Sequence, residues 1–177
     1  MKRALLIGLM VLSTTALFGD WGVEFNVVWP FVPGVRIYTA KVTHTLWEAD
    51  EASGEITFGV LIRPGTRDNE AADLFREYGI NLGYRQYFLD KAQVELALYP
   101  SYAIEVGNSV DGLDYRGFAL TGELYGGYRF DLTNDLDFNW YLMPQAGVGY
   151  TVISDLGPAE EAESPFPVLN LQVGGRF

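Results

Sequence analysis

His44 is the only histidine in the chain, which also has no cysteine, so it is the one obvious general base near neutral pH. Such a base acts on a nucleophile held beside it, usually with a carboxylate in support. In VTHTLW the residues that follow are Thr45 and Leu46. The expectation is a strand-end histidine, with no catalytic residue and no enzymatic activity. A second set of candidates is acidic: Asp68, Glu70 and Asp73, then Asp111 and Asp114, then Asp155, Glu160, Glu161 and Glu163. Hard divalent cations take several carboxylate oxygens, and bridging ions would tie such loops to an anionic surface. No EF-hand spacing is present, so these residues read as solvated loops, with no metal and no cofactor expected.

The third set is spread along alternating segments and needs those segments to position it. In QVELALYPSYAIEVG, Val94, Leu96, Leu98, Pro100, Tyr102, Ile104 and Val106 point one way and Glu95, Ala97, Tyr99, Ser101, Ala103 and Glu105 the other. In GFALTGELYGGYRF, Phe118, Leu120, Leu124, Tyr128 and Phe130 oppose Ala119, Thr121, Glu123, Tyr125 and Arg129. The division recurs in DFNWYLMPQAGVGYTV, where Trp140, Leu142 and Val148 oppose Asn139, Tyr141 and Gln145. From Phe166 to the final Phe177, Leu169, Leu171, Val173 and Gly175 share one face, and Asn170, Gln172, Gly174 and Arg176 the other. An amphipathic strand that stops on an aromatic reads as the closing strand of a barrel whose apolar face meets lipid.

Eight strands follow from alternation and breakers, at approximately 22–30, 34–47, 54–63, 75–89, 92–107, 115–131, 135–153 and 166–177. A tilted strand needs only about 9–11 residues to cross the hydrocarbon, so the strand ends should project. Pro100 and Pro144 each remove a ladder donor and call for local bulges. The expected fold is all-β, an antiparallel up-and-down eight-stranded transmembrane β-barrel. Its short connections would be 89–92 and 131–135 on the periplasmic side, and its long ones 64–74, 108–114 and 154–165 outside. The first pair departs from this, with PFVPG at 30–34 as a short external loop and WEADEASGE at 47–55 as a longer turn. Phe88, Phe130, Phe138, Trp140 and Phe177 gather on outward faces at the short-connection end, as interfacial aromatics should.

Residues 1–19 have the layout of a secretory signal: Lys2 and Arg3, an apolar run from Ala4 to Leu12, then Ser13, Thr14, Thr15 and Ala16. The remaining 20–177 suits one domain. The chain is 49% hydrophobic and 15% aromatic, with 20 glycines and almost no helical periodicity, so its apolar residues belong in sheet. A formal charge of −11 excludes a nucleic-acid partner, whose phosphates need a basic patch. Under the register above, Glu24, Asn26, Lys41, Arg63, Glu77, Asn81, Arg85, Glu95, Glu105, Glu123, Arg129, Asp137 and Arg176 face inward. Buried charges survive only when paired, so this inventory predicts an internal salt-bridge network in a side-chain-filled lumen.

With its signal-like start, its strands and a terminal NLQVGGRF, the chain resembles the small outer-membrane barrels of the OmpA and OmpX type. The resemblance covers 20–177 as a pattern and the last strand as a motif. It implies an outer-membrane location and an assembly signal read by the barrel-assembly machinery, carried by Phe177 and Asn170. Gly175 stands where a bulky residue is usual, and Gln172 where glycine is common. The implied surroundings are outer-membrane lipids and lipopolysaccharide, the implied state a monomer. The implied role is non-enzymatic, in envelope structure or in adhesion and ligand contact through surface loops. A lipid-binding or narrow transport barrel is the alternative, followed by a lipid-A-modifying enzyme. Barrel deacylases carry His and Ser two apart with a supporting Glu, and omptin-like proteases need ten strands; neither pattern is present.

Overall fold

The computed structural model describes residues 20–32, 36–66, 74–107, 112–133, 138–156 and 165–177. Their strands are β1 (Trp21–Asn26), β2 (Tyr38–Ala49), β3 (Ala52–Thr66), β4 (Leu74–Phe88), β5 (Ala92–Val106), β6 (Tyr115–Tyr128), β7 (Phe130–Asp131), β8 (Asn139–Ser154) and β9 (Phe166–Arg176). Each pairs antiparallel with its neighbours, β6 pairs with β8, and β9 pairs with β1, so the sheet closes on itself. The two-residue β7 continues β6 along β8, and the nine segments therefore make an eight-stranded wall. The seam is fastened by reciprocal backbone bonds, Trp21 N–H to Phe177 O at 3.2 Å and Phe177 N–H to Trp21 O at 2.9 Å.

The wall is apolar outside and polar inside. Phe58, Leu96 and Leu169 are 54%, 54% and 64% exposed, whereas Glu24, Arg85 and Glu95 are wholly buried. The faces match the alternation in the sequence, since successive side chains of a strand point to opposite sides.

Three local features differ from the sequence reading. β1 ends at Asn26 because its side-chain Oδ1 accepts from the N–H groups of Val28 (2.9 Å) and Trp29 (3.2 Å), turning the chain into a 3-10 segment, Trp29–Phe31. The expected long turn at 47–55 is a tight hairpin: Ala49 pairs with Ala52, leaving only Asp50 and Glu51 in the turn. A bulge at Leu46, between the pairs Thr45–Glu55 and Trp47–Gly54, lets the acidic segment keep pairing to its end. The short connections β2–β3, β4–β5 and β7–β8 consequently all lie at one end, and the stretch 27–37 joins the longer ones at the other.

The prolines are accommodated without bulges. Opposite Pro100 the β4–β5 ladder passes from Gly79–Ser101 to Leu82–Leu98 with pairs missing and register unchanged. Pro144 lies where the β6–β8 ladder stops at Gly127–Gln145 and resumes as Phe130–Leu142, again in register. A missing N–H costs one rung, and the wall tolerates it at these two places.

At the short-connection end Phe88, Phe130, Trp140 and Phe177 are exposed on the outer wall, together with Trp21 and Trp47. Phe138 stacks on Phe177 with centroids 6.2 Å apart and lies over Gly175, where an added Cβ would meet its ring. Phe138 thus supplies from the neighbouring chain segment the bulk that Gly175 lacks.

Candidate functional site

The lower half of the lumen, toward the short connections, is closed by ions. Strand register sets opposite charges side by side: Glu24 pairs with Lys41 across β1–β2, and Arg85 stands between Glu55 on β3 and Glu95 on β5. Arg85 also reaches across the lumen to Glu24 with both terminal nitrogens, Nη1 to Oε1 at 2.5 Å and Nη2 to Oε2 at 2.8 Å. It donates to Glu95 Oε2 from Nε (3.1 Å) and Nη2 (2.8 Å), and lies 3.4 Å from Glu55. Lys41 Nζ bonds Glu95 Oε1 at 2.9 Å, and Arg176 pairs with Glu55. Glu24, Glu55 and Glu95 are thus matched by Lys41, Arg85 and Arg176. All but Arg176, whose side chain is 20% exposed, have lost their water, and the bidentate and shared bonds replace that hydration.

Neutral groups complete this plug. Tyr141 donates to Glu24 Oε1 at 2.6 Å and Gln145 Nε2 to Glu95 Oε2 at 2.8 Å. Tyr141 covers Gly174, where an added Cβ would meet its ring. The Tyr87 ring has the guanidinium groups of Arg129, Arg176 and Arg85 at 5.1, 5.5 and 5.9 Å. These distances permit cation–π attraction. Below, Arg129 pairs with Asp131 at 3.0 Å and Lys91 with the same carboxylate at 3.2 Å, nearer solvent and correspondingly weaker.

The upper half is different. A cavity of about 190 Å³ opens above the plug, between the apolar side chains Trp29, Leu61, Tyr99, Tyr125 and Val168, with Phe166 at its mouth. The 3-10 segment after Asn26 brings Trp29 there, and its indole Nε1 donates to Asn170 Oδ1 at 2.7 Å, as does Asn26 Nδ2 at 2.7 Å. Glu77 and Glu123 also line it. Glu77 accepts from Ser101 Oγ at 2.6 Å; Glu123 accepts from Tyr125, whose hydroxyl lies 3.2 Å from that of Tyr99.

The expected single network is therefore divided. Glu24, Lys41, Arg85, Glu95 and Arg176 meet in the plug, with Glu55 added. Arg129 belongs to the lower rim. Glu77 and Glu123 face the cavity, and Arg63 lies toward the long-connection end, 4.6 Å from the Phe75 ring. Glu105 is half-buried near the same end. Asp137 lies outside the described residues, as do residues 1–19 and Asp68, Glu70, Asp73, Asp111, Glu160, Glu161 and Glu163. Asp114 accepts from Gly107 N–H at 3.0 Å. Of the two candidate assembly residues, Phe177 is exposed on the outer wall and Asn170 is buried at the cavity.

His44 is on the outer face, covered by Trp21 with ring centroids 4.4 Å apart, and neither nitrogen has a partner among the described residues. It is far from the cavity in the fold, at the opposite end of the wall. Glu55 was legible in the alternation Glu55, Thr57, Gly59 against Ile56, Phe58, Val60, but its acidic neighbours assign it to a turn. Trp29 gave no such signal, because a 3-10 turn has no strand alternation.

No family model matches the chain, and no curated protein matches it. Among solved structures it is similar to the Yersinia pestis outer membrane protein Ail in a phospholipid bilayer nanodisc. The sequences are 10% identical, the TM-score is 0.46, and the match covers 90% of this chain and 99% of that one. It is also similar to Neisserial surface protein A, at 10% identity and a TM-score of 0.41, covering 89% of this chain and 92% of that one.

Proposed function

We propose that the chain is a non-enzymatic outer-membrane β-barrel protein that serves envelope structure or contacts ligands and surfaces through its longer loops. The observation that carries this reading is the inverted wall: apolar rows outside a lumen crossed by buried ion pairs. In water each such side chain, about half exposed, would forgo roughly half of the ~1.5–3 kcal/mol of full burial, whereas in lipid the closed ring leaves no unpaired sheet edge. The Arg85 cluster spans the lumen, which favours a closed barrel over a channel. The place of His44, outside the lumen against Trp21, favours a non-catalytic role.

In this reading outer-membrane lipid and lipopolysaccharide surround a single copy of the chain. The barrel-assembly machinery recognises its last strand through Phe177 and Asn170. Fractionation and planar-bilayer recording test the proposal together. The protein is expected in the membrane fraction, to require detergent for extraction, and to show no steady conductance. Full solubility without detergent would refute the membrane assignment, and a stable open channel would refute the plug.

A further inference from the structure

We infer that the upper-lumen cavity is a binding site for a small organic ammonium cation of about the size of choline. The inference rests on the barrel reading for its access from the outer face. Its chemistry comes from what lines the space. Glu77 and Glu123 both face it, the first bonded by Ser101 and standing in register with Arg63, whose guanidinium lies over the Phe75 ring, the second bonded by Tyr125; among the described residues neither forms an ion pair within 4.0 Å, in contrast to the carboxylates of the plug below.

A second observation points the same way. Gln172 is 1% exposed, lines the cavity, and its Oε1 has no hydrogen-bond partner among the described residues. A buried acceptor left without a donor is costly, and the hydroxyl of a choline-sized ligand would satisfy it, the quaternary nitrogen having no N–H to give. The remaining wall is aromatic, with Trp29, Tyr99 and Tyr125 presenting rings to the same volume. Ring faces attract ammonium groups, and carboxylates supply the charge that rings alone do not. Acceptors, two carboxyl groups without an ion pair among the described residues and aromatic surface together favour a cation with an apolar shell over an anion, a sugar or a plain hydrocarbon. A cavity of about 190 Å³ holds one such group on a short stem and excludes a whole lipid.

Calorimetric titration of the full-length protein in detergent tests this, with choline as the probe. Its uncharged isostere, in which a tert-butyl group replaces the trimethylammonium, serves as comparison. Choline is expected to bind and the isostere to bind about tenfold more weakly or not at all. Equal binding of the two, or no binding of choline, would overturn the inference. E77Q and E123Q keep side-chain shape and are each expected to weaken choline about tenfold; unchanged affinity in both counts against the site. Should either variant misfold by near-ultraviolet circular dichroism, W29L, which lies outside the strands, is expected to weaken choline as well, and unchanged affinity there would likewise overturn it. Solubility without detergent would refute the membrane reading alone, since the titration can still be run.

Discussion

Arg85 and Glu24 are 61 residues apart in sequence and on strands separated by two others, yet they form a two-point ion pair across the lumen, at 2.5 and 2.8 Å. Both are fully buried, so neither can recover water if the other is lost. R85M is expected to destabilise the barrel by about 3–5 kcal/mol, because Glu24 would lose its two-point partner in a dry lumen and Glu95 would keep only Lys41. Adding E24Q and E95Q to R85M is expected to restore part of that loss. Urea unfolding in lipid vesicles measures both, and additive losses would argue against the cluster acting as one unit.

The outer wall should answer to depth. Leu98 lies near the middle of β5 and Phe88 at the end of β4, both exposed. L98R is expected to cost about 2–4 kcal/mol in a bilayer and F88R about 0–1 kcal/mol. Equal costs in the same vesicle assay would mean that these positions do not differ in depth.

Gly174 makes room for Tyr141, the side chain that ties β8 to Glu24. G174V is expected to cost about 1–3 kcal/mol by overpacking. In a Y141L background, where the ring is gone, the same substitution should cost clearly less. The shift in unfolding midpoint for the four variants reads this coupling directly.

Pro100 leaves a gap in the β4–β5 ladder with the register intact on both sides. P100V returns the N–H and is expected to stabilise the wall by about 0.5–1.5 kcal/mol. Amide exchange at residue 100 should then be slow. Fast exchange would show that the rung stays open for another reason.

The strands and their faces were legible because alternation is local: in 92–106 each residue's side of the wall follows from its neighbour's. Charges such as Lys41, Arg85 and Glu95 could therefore be assigned to the lumen from sequence, and the structure brings them together. Which charges meet was not legible, since Arg85 finds Glu24 only once four strands have curled round. The same limit hid the division into plug and cavity. Glu77 and Glu95 look alike in sequence, but one faces Ser101 beside a void and the other faces Arg85 and Lys41. The acidic turn at 47–55 misled for a different reason. Charge there suggested a loop, whereas backbone pairing continues to Ala49 and Ala52 because strand ends that project from the wall tolerate polar side chains.

The seam between Trp21 and Phe177 joins the two most distant strands of the described fold. Every other neighbouring pair of the eight-stranded wall is made of strands successive along the chain, β7 counting with β6, whereas this one joins the first strand to the last. Closure is therefore the step of greatest sequence separation, and loop entropy makes such contacts slow to form. Without it, β1 and β9 would each present an open edge, so this one contact also removes the risk of pairing with another molecule.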